Sequence, residues 1–223
     1  MLSALEHGPS FALLKVRLDA GERITAEAGA MVARKGAVDM ETRLNAGRRS
    51  GLFSWLKAIV VALVRKLVGG ETMLVNEFHA SGPSEVWLAP VFSGAIAHRR
   101  MEGGSLLLGP GAFLAMAGDL DLRLRWGGLR GLLAREGLFF IEVSGTGDLW
   151  FTSYGGTHVV DVDGSYVVDN GHLVAFDPAL DFHIRAAGGG ALGLVASGEG
   201  LVCEFGGRGQ VVVQARNVNA LVG

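Results

Sequence analysis

The chain has 223 residues, 20 basic and 22 acidic, with a formal net charge of −2. That near-neutral balance argues against the broad cationic footprint of a nucleic-acid-binding protein. A single cysteine, Cys203, excludes an intrachain disulfide, and glycine, at 35 residues, is about twice its usual share of roughly 7%.

The first ten residues lack the charged start and apolar core of a secretory signal, so a reducing, cytoplasmic compartment is expected. Strand-like alternation begins in Phe11-Ala12-Leu13-Leu14-Lys15-Val16-Arg17-Leu18 and recurs in Asp119-Leu120-Asp121-Leu122-Arg123-Leu124-Arg125-Trp126. Glycines punctuate the apolar runs rather than clustering, which reads as turns joining many short strands. Gly82-Pro83 and Asp177-Pro178 read as turns in the same way.

One template occurs three times along the chain. Its glycine anchors open Gly29-Ala30-Met31-Val32-Ala33, Gly111-Ala112-Phe113-Leu114-Ala115 and Gly171-His172-Leu173-Val174-Ala175. Each is followed, at one constant spacing, by an aspartate between apolar neighbours: Asp39, Asp121 and Asp181. These aspartates are expected to point outward, because their neighbours point inward. A second half-unit places Glu77, Glu142 and Glu204 before the apolar runs at Val86-Trp87-Leu88, Leu149-Trp150-Phe151 and Val211-Val212-Val213. The pattern predicts one all-β domain over residues 1–223, made of three pseudo-repeats at about 11–92, 93–155 and 156–216. Insertions of unequal length interrupt each repeat, from about Glu41, Arg123 and Arg185.

The first insertion contains the sequence GLFSWLKAIVVALVRKLVGG at residues 51–70. Leu52, Trp55, Leu56, Ile59, Leu63 and Leu67 recur at helical spacing, which predicts an inserted helix near residues 51–68. Lys57, Arg65 and Lys66 interrupt it, so it does not read as a membrane span. Trp55 and Leu56 are candidate contacts to a membrane surface or a protein partner. Packing of the apolar stripe on the sheet or on a neighbouring subunit is the plainer alternative.

Signals of chemistry are sparse. The six histidines form no His-x-His pair and no His-Glu-x-x-His motif, and no Gly-x-Ser-x-Gly elbow appears. No catalytic, cofactor-binding or metal-ligating residue is assigned. A cupin-like metal site assembled from separate strands is not excluded by spacing. Asp169-Asn170-Gly171-His172 is the most polar of the three anchors; it reads as a tight turn, with Asp169, Asn170 and His172 as candidate ligand contacts. Arg123 and Arg125 in the second insertion are candidate contacts to an acidic partner, against the plainer reading of a solvated loop. Cys203 sits in an apolar run and reads as a buried thiol.

Several segments, in order from about residue 8 to 216, resemble one family. They include Glu27-Ala28-Gly29-Ala30-Met31, Gly70-Glu71-Thr72-Met73-Leu74-Val75-Asn76, Val86-Trp87-Leu88-Ala89-Pro90 and Ser153-Tyr154-Gly155. Val168-Asp169-Asn170-Gly171-His172-Leu173-Val174-Ala175-Phe176 and Gly209-Gln210-Val211-Val212-Val213-Gln214-Ala215-Arg216 continue the match. The chain thereby resembles the uncharacterised family named for altered inheritance of mitochondria, also described as tryptophan RNA-binding attenuator-like. Ala28 and Ala215 depart from the serine and threonine common there. The resemblance implies a double-stranded β-helix of three pseudo-repeats per chain and a homotrimeric ring. It implies no catalytic residues, and fold alone does not carry function.

The expected function is a non-enzymatic oligomeric scaffold or assembly factor, cytoplasmic or membrane-peripheral, with no cofactor. The alternatives are a small-molecule- or RNA-binding module in clefts between repeats, and a cupin-like metalloenzyme.

Overall fold

The structure is a computed structural model that describes residues 1–44, 74–126, 139–187 and 201–217. Among these residues the chain forms twelve strands and one short 3₁₀ turn. The first group is β1 (Leu2–Glu6), β2 (Leu13–Leu18), β3 (Arg23–Glu27), β4 (Met31–Leu44) and β5 (Leu74–Leu88). The second is β6 (Ile96–Leu108), β7 (Phe113–Trp126) and β8 (Phe139–Thr152). The third is β9 (Thr157–Asp169), the 3₁₀ turn Asn170–His172, β10 (Leu173–Phe176), β11 (Asp181–Ala186) and β12 (Leu201–Gln214).

All twelve strands belong to one hydrogen-bonded sheet, in the order β1-β2-β5-β3-β7-β8-β6-β10-β12-β11. β4 pairs with β5 and β9 with β12, off that path. Every strand pairing is antiparallel. Three long strands, β5, β8 and β12, are flanked on both edges and act as spines. β3 crosses from β5 to β7, and β10 crosses from β12 to β6.

The all-β expectation stands, but the double-stranded β-helix with an inserted helix is corrected. The described residues form a single continuous twelve-stranded antiparallel sheet with no α-helix. The segment 51–68, including Trp55 and Leu56, lies outside the described residues. Strand length is a second correction. The sequence suggests short strands broken at glycines, whereas β5 runs 15 residues and β4, β7, β8 and β12 run 14 each.

Many glycines sit inside strands rather than between them. Gly118 in β7 takes φ of +101°, and a Cβ there would stand 2.8 Å from Gly147 Cα in the facing strand. Glycine thus lets β7 and β8 cross closely without ending either strand. Gly82-Pro83 likewise lies within β5, where the pairing with β4 is irregular between Gly36 and Val38. The missing proline donor is tolerated at such an irregularity.

Three apolar clusters make the core. The first gathers Leu14, Val16, Leu18, Ile24, Phe78 and Leu88 around Leu114, Ala115 and Trp150 from β7 and β8. The second gathers Leu106, Leu108, Phe113, Val143 and Leu149 with Val75 from β5 and Val174, Ala175 and Val212 from β10 and β12. The third holds Val162, Val168, Leu173, Phe176, Leu180, Cys203, Phe205 and Val211, with Phe140 from β8. Side chains from neighbouring strand groups therefore complete each of the first two clusters.

Candidate functional site

The strand pairs β4/β5, β7/β8 and β11/β12 each carry an Arg–Glu pair toward the end where the chain enters residues 45–73, 127–138 and 188–200. Arg43 Nη1 lies 3.0 Å from Glu77 Oε2, Arg125 Nε 2.8 Å from Glu142 Oε2, and Arg185 Nε 2.8 Å from Glu204 Oε2. In the backbone register Arg43 faces Val75, Arg125 faces Phe140 and Arg185 faces Val202, so each pair is diagonal across its strands. Hydrogen bonding from Glu142, with its charge, raises the Arg125 pKa.

Arg123 and Arg125 are strand residues of β7, not loop residues as the sequence suggested. Arg123 donates to Asp121 at 2.9 Å and Arg125 to Glu142. The short basic run His98-Arg99-Arg100 is similarly engaged on β6. His98 and Arg100 meet Asp148 at 2.8 and 2.6 Å, and Arg99 meets Asp177 at 3.3 Å. Each of these basic side chains faces a carboxylate, which suits a neutralised surface rather than a phosphate-binding one.

Asp169, Asn170 and His172 come together at the corner between β9 and β10. The Asp169 carboxylate accepts from Gly171 N at 2.8 Å and caps the 3₁₀ turn. His172 Nδ1 lies 2.8 Å from the Gln214 carbonyl oxygen and so donates to it. Gln214 in turn donates to Gly171 O at 2.9 Å and accepts from Tyr154 N at 2.8 Å. Buried Cys203 contacts Asn170 Oδ1 at 3.7 Å. The expected turn is present, although Gly171 is not among the positive-φ glycines. The corner locks the end of β12 to the β9–β10 turn through its own polar groups.

A cleft of about 430 Å³ opens beside this corner, lined by Phe92, Pro110, Thr152, Tyr154, Leu173 and Gln214 among others. Phe92 and Tyr154 form a tilted aromatic pair at 5.6 Å. Thr152 donates to Gly111 O at 3.3 Å and Ser153 to Gly155 O at 3.1 Å. Their polar groups are thus engaged with backbone, and no buried side-chain polar atom among the described residues lacks a partner.

Glu41, Glu77 and His79 place ligand-type atoms within 4.8 Å of one another. Arg43 donates to Glu41 at 2.9 Å and forms an ion pair with Glu77 at 3.0 Å. Its hydrogen bond and charge hold the Glu41 carboxyl below the usual range. The guanidinium supplies the positive charge that a metal would bring. Sequence spacing missed both this group and the diagonal pairs, because their members come from separate strands.

Unfilled strand edges remain: β1 and β11 end the sheet path with one partner each, and β4 and β9 lie off it. Among the described residues β4 pairs only with β5, and β9 only with β12. Met31 and Val32 at the start of β4, and Val159 and Val167 on β9, are exposed apolar side chains. Unfilled strand edges offer unpaired backbone groups to another chain.

No helix among the described residues is long and apolar enough to cross a membrane. An uncharacterised protein of Streptococcus pyogenes serotype M6 is 29% identical over 226 residues, covering 100% of this chain and 89% of the relative. A crystal structure of a Streptococcus pyogenes protein superposes with a TM-score of 0.80 at 28% identity, covering 100% of this chain and 96% of that one. Neither name states an activity. Residues 4–216 match the family described as mitochondrial biogenesis AIM24, and the chain belongs to that family.

Proposed function

We propose that this chain is a non-enzymatic scaffold built of three related strand units, which assembles with copies of itself into a homotrimer. The observation that supports the reading most is the unfilled outer edges of β4, in the first strand group, and β9, in the third, which carry the exposed apolar side chains Val32, Val159 and Val167. Two different edges favour head-to-tail contacts, which close into a ring when the rotation per copy allows. The family resemblance makes three the expected number of copies. The arginines, histidines and carboxylates described above are engaged with one another or with backbone, which suits a structural role. A membrane-peripheral site of action rests on sequence alone, on Trp55 and Leu56 beside Lys57.

Light scattering on a size-exclusion peak tests the proposal. A mass of three times 23.4 kDa supports it, and a mass of 23.4 kDa refutes it. The cleft at Phe92 and Tyr154 favours a second reading, a module that holds a small molecule with both polar and apolar groups. Extra mass per chain in a gently ionised sample would raise that reading above the scaffold.

A further inference from the structure

We infer that the end of β9 pairs with the start of β4 from a second copy of the chain, placing Val168 opposite Ala33 and Val167 opposite Arg34 of the neighbour. This rests on the self-assembly proposed above and specifies its contact.

The register comes from two junctions already present within one chain. At the first, Ala26 pairs with Ala115 and Thr25 with Met116. At the second, Leu108 pairs with Ala175 and Leu107 with Phe176. Ala26 precedes Gly29 by the spacing at which Leu108 precedes Gly111. Ala115 follows Gly111 by the spacing at which Ala175 follows Gly171. The same spacings select Val168 before Gly171 and Ala33 after Gly29. These two belong to β9 and β4, whose outer edges have no partner among the described residues, so the third junction needs another copy.

Burial agrees with an interface left open. Leu114 and Val174 are 0% and 1% exposed, whereas Val32 at the same place in β4 is 54% exposed. Thr25 is 9% exposed, whereas Val167 at the same place in β9 is 44% exposed. Leu114, Ala115 and Trp150 complete the first core cluster, and Val174, Ala175 and Val212 complete the second. Their counterparts Val32, Ala33 and Trp87 belong to none of the three. The third cluster of a neighbouring copy would receive them. In the opposite direction, Val75 joins the second cluster and Phe140 the third. Val202, the matching residue of β12, is buried yet joins none of the three. A neighbouring copy's first cluster would take it.

Cysteine cross-linking reads the register directly, because facing residues on antiparallel strands stand about 4.5–5.5 Å apart, within disulfide range. Val167→Cys is combined with Arg34→Cys in one chain, and Val168→Cys with Ala33→Cys in another, all on a Cys203→Ala background because Val168 faces Cys203 within the chain. Under mild oxidation at least one of these double variants should shift mainly to covalent trimer on a denaturing gel. Each single variant, and the off-register pair Val159→Cys with Arg34→Cys, should stay monomeric on that gel. Light scattering is run on the same samples. A multimer in which neither matched pair links overturns the register and leaves self-assembly standing. Linking by Val167→Cys alone overturns it in favour of β9-to-β9 contact. A monomeric wild-type chain overturns both inferences.

Discussion

Arg125 holds Glu142 through two parallel hydrogen bonds, Nε to Oε2 at 2.8 Å and Nη2 to Oε1 at 3.1 Å, diagonally across β7 and β8. Arg43 with Glu77 and Arg185 with Glu204 stand at the corresponding places on the other two strand pairs. The forked geometry is specific to arginine; lysine supplies only a point charge. Arg125→Lys should therefore leave the fold intact, as read by circular dichroism, but lower the urea midpoint. Because Arg125 is exposed, that difference should shrink toward zero as salt rises to about 1 M, where the screening length is about 3 Å. A salt-independent difference would mean that the arginine acts through packing instead.

These pairs also show what the sequence could and could not tell. The glutamates repeat at one place in the second half-unit, and an arginine follows each of Asp39, Asp121 and Asp181 at constant spacing. Both signals were legible, but joining them required the register of separate strands. The glycine anchors and apolar runs correctly signalled β structure, since alternation and glycine spacing are local properties. Strand length was not legible, because a glycine inside a bulged strand looks like a glycine in a turn. Gly118 and Gly147 illustrate this: both lie within long paired strands. The cleft at Phe92 and Tyr154 left no sequence signal, because its walls come from several strand ends.

Close strand crossing makes Gly118 sensitive. Gly118→Ala combines positive φ with a Cβ at 2.8 Å from Gly147 Cα and 2.9 Å from Thr146 O. It should cost at least about 2 kcal/mol in chemical denaturation. Gly103 also has positive φ, +94°, but open space around its Cβ position. Gly103→Ala should cost about 1 kcal/mol. Equal losses would show that contact with β8 contributes nothing.

The third cluster is organised by aromatic rings. Phe176 lies 5.2 Å from Phe140, 5.0 Å from Phe182 and 5.1 Å from Phe205, centroid to centroid. Phe176→Ala should destabilise the fold by about 3–5 kcal/mol, because it leaves a cavity among large rings. A loss below about 1 kcal/mol in equilibrium unfolding would contradict this packing.

Cys203 gives the stability an alkaline limit. Burial, with a smaller effect from the Asp169 charge, pushes its thiol up to about 12. An unfolded thiol ionises near ~8.5. Between those values the unfolded chain releases a proton that the folded chain keeps. The thiol's contribution is thus full below the unfolded value and falls as pH rises through the window. Relative to Cys203→Ala, the wild type should lose up to about 2 kcal/mol between pH 8 and pH 10. Parallel pH profiles for the two proteins would refute the assignment.

Charge at the proposed junction should control assembly. Val167→Lys sets a lysine opposite Arg34 of the neighbour, and facing like charges destabilise a strand pair. Val167 is exposed in the single chain, so this variant should dissociate the assembly while keeping the folded chain. Adding Arg34→Glu should restore the multimer by making the facing charges opposite. Light scattering checks both steps; a Val167→Lys protein that remains fully assembled would argue against this edge.

Native mass spectrometry of the untagged wild-type chain counts the copies in the assembly. One dominant species is expected at three times the 23.4 kDa chain mass, with no extra mass per copy. A spectrum dominated by the 23.4 kDa chain at micromolar concentration would contradict it.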